Sequence, residues 1–271
     1  MIGAVFIETL RRHWRGMLWW GFGSGLLGAS QLLVLQDATT IQQMGELMAT
    51  LPPVFIDAFG GGDAQYMGTP AGYLGSNFFS LGLIIFAFYA VIAGLNVIAN
   101  EEDRGQFDLL LSLPLARTRL VIEKSAAFAL MLIGMAVIVF GCIAGGLLLV
   151  GTEIIEVDMT RVLESVINIL PGALAILMFT VFVSALTGSR PVAVGASAAF
   201  VAIGYFVDII GKSAPDSPFG GLSVLSYHRY YDGVFVMRDG LNIGNMSILL
   251  VVAAILFVVS IGLFNRRDVG V

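Results

Sequence analysis

The chain has 271 residues, of which 58% are hydrophobic and 12% are charged, and its mean hydropathy is +0.91. These values are typical of an integral membrane protein and exclude an ordinary soluble domain. The formal net charge of −5 does not indicate a partner, because membrane orientation depends on where Lys and Arg lie rather than on their sum. We expect membrane lipid as the surroundings and no nucleic-acid partner.

Six apolar runs are long enough to cross a bilayer, because a hydrocarbon core of roughly 30 Å needs about 20 helical residues. They contain Gly, Ala and Ser, as packed membrane helices do, and lack the alternation of barrel strands. We therefore predict an all-α, polytopic membrane protein with six transmembrane helices in one domain, residues 1–271. The predicted spans are residues 17–35, 78–99, 125–150, 166–186, 192–210 and 247–264.

The N-terminal residues 2–15 place apolar side chains at spacings of three and four, opposite Glu8 and three arginines. This pattern predicts an amphipathic helix in the cytoplasmic interface before the chain turns into the bilayer. A plain cytoplasmic extension of the first span is the alternative. Within that span, Gly21 and Gly25 form a small-xxx-small pair, which suits close helix contact unless both glycines face lipid.

Most basic residues fall in alternate connections, which share one side of the membrane, and the opposite connections hold only Arg161, Lys212, Arg229 and Arg238. The positive-inside rule makes that side cytoplasmic, which predicts a multi-pass protein of the cell membrane with both termini inside. The basic residues concerned are Arg11, Arg12, Arg15, Arg104, Arg117, Arg119, Lys124, Arg190, Arg266 and Arg267.

Two connections later in the chain carry further information. Residues 186–191 leave room only for a tight cytoplasmic turn, so the fourth and fifth spans should be antiparallel neighbours. Residues 222–232 (LSVLSYHRYYD) lie outside and are more aromatic than a solvated loop requires. Either they re-enter the membrane as short helices whose backbone is buried in protein, or they form an aromatic belt at the outer interface.

The spans contain essentially no ionisable residues, although pumps and proton-coupled carriers usually place such residues inside the membrane. Asp208 lies only near the outer end of the fifth span, and the two histidines, His13 and His228, lie on opposite faces. We therefore predict no metal site and no catalytic residue. The sequence also lacks the G-x-x-x-x-G-K-[ST] phosphate loop, so any driving energy should come from another protein.

Residues 100–124 (NEEDRGQFDLLLSLPLARTRLVIEK) form the densest charged interruption. The acids Glu101 to Asp103 would be unfavourable at the negative end of the second span, so they predict the first turn of a new helix with Asn100 as its N-cap. That helix should stop before Pro114. Its apolar cluster is too large for a free loop, so it lies either on lipid or in the groove of a partner protein.

The pattern Glu101-Glu102-x-x-Gly105-x-x-x-Leu109-Leu110-Leu111-x-x-Pro114-x-x-Arg117, followed by Lys124, resembles the segment after the second span in permease subunits of type-2 ATP-binding-cassette (ABC) exporters. Leu225-Ser226-x-x-Arg229-Tyr230 with Asp232 resembles the pattern of that family before the last span. Gln106 and Ala116 depart from the motif, where the family often has threonine and serine. The resemblance covers essentially the whole chain.

The resemblance implies that residues 100–124 form a coupling helix, inserted into a cleft of a separate cytosolic ABC ATPase. It also implies two ATPase copies and a second permease chain, identical or a paralogue. ATP and Mg would bind the ATPase, so no cofactor is expected in this chain and it is not an enzyme. The implied contact residues are Glu101, Glu102, Arg104, Gly105, Phe107, Leu110, Leu111, Pro114 and Arg117.

From this resemblance and the uncharged spans we predict ATP-driven export of an amphipathic or apolar substrate, such as a lipid, drug or peptide, by alternating access. The alternative is a membrane scaffold or sensor that transports nothing and uses residues 100–124 to recruit a cytosolic partner.

Overall fold

The computed structural model describes residues 3–36, 43, 46–47, 50, 52, 64–103, 105, 116–151, 155–214 and 218–266. Over these residues the chain is helical and contains no strand. Its long helices are α1 (Ala4–Val34), α2 (Pro70–Leu95), α3 (Arg117–Val150), α4 (Met159–Thr187), α5 (Arg190–Ser213) and α6 (Ile243–Arg266).

Five of the long helices, α2 to α6, are long and apolar enough to cross a membrane. They confirm five of the six predicted spans, with boundaries that differ by several residues. The helix α2 begins at Pro70, because Thr69 caps it by accepting a hydrogen bond from the Gly72 backbone amide at 3.1 Å. It includes a π-helical stretch, Gly75–Phe79, before its main part, Ser80–Leu95.

The helix α1 contains both the predicted interfacial helix and the predicted first span. It runs without interruption from Ala4 to Val34, so the predicted turn into the bilayer is absent. The helix α1 is not one of the five helices that are apolar enough to cross a membrane, so the sixth span stays a prediction. The only helix-weakening residue at the predicted turn is Gly16, and one glycine costs a helix only about 1 kcal/mol.

The helices α1 and α3 run parallel in close contact along their length. A Cβ atom at Gly21 would lie 3.0 Å from the side chain of Ile138, and one at Gly25 would lie 2.8 Å from Cys142 Sγ. Both glycines are buried. The predicted close helix contact at this pair is therefore confirmed, and Cys142 serves as a small packing residue there.

The helix α4 is the centre of the bundle, because 72% of its most apolar stretch is buried, against 17% for α5 and 22% for α6. It packs closely against α2 at Gly172, where a Cβ atom would lie 2.7 Å from the Leu83 side chain. The weakly buried helices α5 and α6 lie at the periphery, where apolar side chains face outwards.

The turn between α4 and α5 is as tight as predicted. Gly188 has a left-handed backbone (φ 60°) directly after Thr187, a conformation that favours glycine at a helix C-terminus, and α5 starts two residues later at Arg190. Phe179 of α4 stacks on Phe200 of α5 with ring centroids 3.9 Å apart. The two helices are antiparallel neighbours, which confirms the prediction.

The aromatic external segment folds into short helices, Pro218–Leu222, Ser223–Leu225, Tyr227–Tyr230 and Val236–Asp239. The Tyr227 hydroxyl donates to the Val201 carbonyl of α5 at 3.0 Å, and the buried Tyr231 donates to the Phe79 carbonyl of α2. Burial of these side chains within the protein agrees with short packed helices rather than with an aromatic belt exposed to lipid.

Candidate functional site

The structure describes only the two ends of the predicted coupling segment. Glu101 and Glu102 lie in a short helix, Ala99–Asp103, Gly105 follows it, and Arg117 begins α3. The remaining residues of the predicted contact set lie outside the described residues, namely Arg104, Phe107, Leu110, Leu111 and Pro114. The role of the whole set in binding an ATPase stays a prediction.

A separate helix does start after α2, as the three acids predict, but it starts earlier than expected. The helix α2 ends at Leu95, and the new helix begins at Ala99. Asn100 therefore lies inside the helix and is not its N-cap, while the Ile98 carbonyl accepts from the Glu102 amide at 3.2 Å. Glu101 and Glu102 still occupy the first turn, where the helix dipole favours negative charge.

Gly105 has a conformational role at the end of this short helix. Its backbone is left-handed (φ 64°) and its amide donates to the Glu102 carbonyl at 3.0 Å. This arrangement ends a helix and favours glycine, because other residues are strained in it. At the other end of the segment, α3 begins after Ala116, whose side chain makes no capping hydrogen bond.

A buried ion pair joins the short helix to α3. The Lys124 ammonium contacts the Glu101 carboxylate and also donates to the carbonyls of Asn96, at 3.2 Å, and Val97, at 3.5 Å. Lys124 is only 5% exposed. Because breaking a buried ion pair leaves an uncompensated charge, this contact holds the start of the coupling segment against α3.

A second contact joins the short helix to α5. Arg190, the first residue of α5, donates from Nε to Asn100 Oδ1 at 2.7 Å, and Asn100 in turn donates to Asn96 Oδ1 at 2.8 Å. Asn96 follows the last residue of α2. One chain of hydrogen bonds therefore connects α2, the short helix and α5 at the face that the positive-inside rule makes cytoplasmic.

A third contact joins α3 to the N-terminus of α1. The Glu123 carboxylate accepts from the backbone amides of Gly3, Val5 and Phe6 at 3.0–3.1 Å, and from Arg119 Nε at 2.7 Å. A carboxylate is favourable at this place, because the first amides of a helix lack partners within it and carry a partial positive charge. The four helices α1, α2, α3 and α5 thus converge around the ends of the segment.

A comparison with protein families identifies the family to which this chain belongs. The model of the family described as "ABC-2 family transporter protein" matches residues 26–269. The chain belongs to the ABC-2 transporter family. It is a membrane permease subunit of a type-2 ABC transporter, and the predicted resemblance is confirmed. A search of curated proteins gives no match.

Membership in the ABC-2 family has three direct consequences. The protein is embedded in a membrane and crosses it several times. It functions in transport as a membrane subunit of a kind that is generally not catalytic. Such permeases work, in general, with an ATP-binding cassette component.

Two ionisable groups are buried near opposite ends of the apolar helices. Lys124 is buried near the start of α3, and Asp208 is buried near the end of α5, where it contacts Lys212 and His228. The predicted spans already place Asp208 near the end of the fifth span and Lys124 next to the start of the third, so the structure adds the burial and the partners of these two groups. Sequence signals existed, since Asp208 lies within four residues of a lysine, but its histidine partner is twenty positions away.

Proposed function

We propose that this ABC-2 permease exports an amphipathic or apolar substrate across the cell membrane by alternating access, driven by a separate cytosolic ABC ATPase that docks against residues 100–124. ATP and Mg bind that ATPase, and both termini of the permease lie in the cytoplasm. The observation that carries the proposal is the anchoring of the segment by Glu101–Lys124 and Asn100–Arg190.

Because of this anchoring, residues 100–124 can act as a lever that passes a movement on to the helices they contact. A flexible loop would absorb the movement of a docked partner, whereas buried polar contacts transmit it to the helices that they join. The Glu101–Lys124 pair would pass a displacement to α3, and the Asn100–Arg190 hydrogen bond would pass it to α5. The helix α2 moves with both, because the short helix follows it after a turn of three residues.

The outward face of α5 supports a second permease chain as a partner. Four small residues are exposed along it at helical spacing, and such stripes allow the backbones of two membrane helices to approach closely. The exposed small residues are Gly195, Ala198, Ala199 and Ala202. We propose that two chains, identical or paralogous, meet here and enclose the transport pathway, with one ATPase for each.

The docking claim can be tested by exchanging single residues of the segment. Leu110→Glu and Arg117→Glu should leave the permease in the membrane and monodisperse in detergent, but should remove the ABC ATPase from the material that co-purifies with it. Arg266→Glu is the matched control for Arg117→Glu, because it makes the same charge change at the end of α6. Unchanged co-purification in both segment variants would refute the docking.

Transport is tested separately, in vesicles that contain the permease and its ATPase. We expect a transported substrate to stimulate ATP hydrolysis. If an ATPase binds residues 100–124 but no candidate substrate changes its rate of ATP hydrolysis, the result would instead indicate a membrane scaffold or sensor.

A further inference from the structure

A cavity of about 380 Å³ lies at the opposite face from the coupling segment, between the outer ends of α2 and α5 and the external segment. Its charged lining consists of Asp208 and Lys212 from α5 and Asp232 from the external segment, with His228 beside them. None of these residues takes part in the cytoplasmic network, so this cavity is a second, independent feature of the molecule.

Asp208 is the most deeply placed of these groups, at 1% exposure. Its Oδ2 atom accepts from His228 Nδ1 and from Lys212 Nζ, each at 2.9 Å. Its Oδ1 atom is also buried but has no hydrogen-bond partner among the described residues. Buried carboxylate oxygens are rarely left without a donor, because an unsatisfied charged group is costly. Within the part of the chain that the structure describes, the site therefore lacks a hydrogen-bond donor for Asp208 Oδ1.

The balance of charge in the cavity is negative. Two carboxylates, Asp208 and Asp232, face one ammonium, Lys212, which gives a net charge of minus one when His228 is neutral. Lys212 is 42% exposed at its side chain, whereas that of Asp208 is 1% exposed. Solvent therefore screens the lysine more than the aspartate, and a cation in the cavity gains a favourable interaction.

The rest of the lining is apolar and aromatic. Tyr205 and Phe206 line the cavity on the α5 side, and Leu81 lines it on the α2 side. Phe206 is 59% exposed and Leu81 is 45% exposed, which places them at the open rim of the cavity. Aromatic faces attract cations, and an apolar rim accommodates a hydrocarbon chain.

We propose that this cavity binds an amphipathic cation with an N–H donor, namely a primary alkylammonium. The ammonium donates to Asp208 Oδ1, Asp232 adds negative charge, and the alkyl chain lies along Phe206 and Leu81 towards the outer leaflet. This inference rests on the proposed transport function. If the cavity binds the transported substrate, that substrate is a cationic amphiphile. It replaces the broader choice of lipid, drug or peptide.

The test uses isolated permease in lipid nanodiscs and isotopically labelled decylammonium in equilibrium dialysis. Empty nanodiscs correct for partition into lipid, and decanol and decanoate have the same chain without the positive charge. We expect saturable binding of decylammonium alone. Asp208→Asn should weaken it about tenfold or more, as expected for loss of a hydrogen bond to a charged group. The control Asp158→Asn makes the same exchange at an exposed helix cap on the outer side, where asparagine also caps.

A second variant keeps the proposal testable if Asp208→Asn does not fold. Lys212→Met removes the competing cation, so it should strengthen decylammonium binding. The site is refuted if decanol or decanoate binds as well as decylammonium, or if both Asp208→Asn and Lys212→Met leave its binding unchanged. Because the assay contains no ATPase, its failure would leave the docking proposal intact, and loss of docking in the Arg117 variant would leave this site intact.

Discussion

The buried pair between Glu101 and Lys124 gives the sharpest stability prediction. Removing one partner of a buried ion pair costs about 3–5 kcal/mol, because the other charge stays buried without compensation. Removing Glu101 and removing Lys124 leave different groups buried without a partner. In Glu101→Gln, the Lys124 ammonium keeps the carbonyls of Asn96 and Val97 as acceptors, so the cost should lie near about 3 kcal/mol or below.

Lys124→Met should be the more damaging change. It removes the ammonium from a carboxylate whose Oε2 atom already lacks a hydrogen-bond partner among the described residues, so the cost should lie near the upper limit of about 5 kcal/mol. The double variant removes both charges and should cost less than the sum of the single changes, since contacting residues do not act additively.

The stability of these variants can be measured by thermal unfolding in detergent, with the thiol of Cys142 as the reporter group. It is the only cysteine and is half-buried against Gly25, so a thiol-reactive dye reports its exposure on unfolding. With about 2–4 °C per kcal/mol for a large domain, Glu101→Gln should lower Tm by roughly 6–12 °C or less, and Lys124→Met by more. A Lys124→Met protein as stable as the wild type, or one more stable than Glu101→Gln, would refute the reasoning.

Three further predictions concern other parts of the molecule. Oxidation of Ala199→Cys in a Cys142→Ala background should link two permease chains, seen as a dimer on a non-reducing gel, whereas monomer alone contradicts the α5 interface. Gly25→Val should destabilise the bundle by about 1–3 kcal/mol through overpacking, while Gly23→Val, with open space at its Cβ position, should leave Tm unchanged. Burial raises the pKa of Asp232, so on acidification this carboxyl is protonated, and loses its attraction for a cation, at a higher pH than an exposed aspartate. Decylammonium affinity should therefore rise with pH, and Asp232→Asn should shrink that rise.

The sequence predicts the spans well, because a bilayer demands continuous apolar helix and few other structures satisfy that demand. It also predicts the contact at Gly21 and Gly25 and the turn at Gly188, where local chemistry decides. It fails where one local pattern fits two structures. The amphipathic N-terminal residues suit an interfacial helix as well as a straight continuation into the following residues. In the structure they continue without a break, and Glu123, a residue far along the chain, caps the helix α1.

The polar contacts are the part that the sequence does not reveal. Asn100 has the chemistry of an N-cap, yet its side chain bonds to Asn96 and Arg190. Asp208 meets His228 only because the external segment folds back onto α5, where Ser226 donates to the Gly204 carbonyl at 2.6 Å. Each contact bridges elements whose relative position is a property of the whole bundle, so no periodicity or spacing rule could have identified it.

The helix α5 connects the two features that matter for function. Its first residue, Arg190, is hydrogen-bonded to Asn100 of the short helix, and Asp208, about five turns along α5, lines the cavity. Within one chain it is also the least buried of the five apolar helices, so few contacts inside the same chain hold it in place. The two proposals therefore share one element, because a movement of the short helix would reach Asp208 through α5.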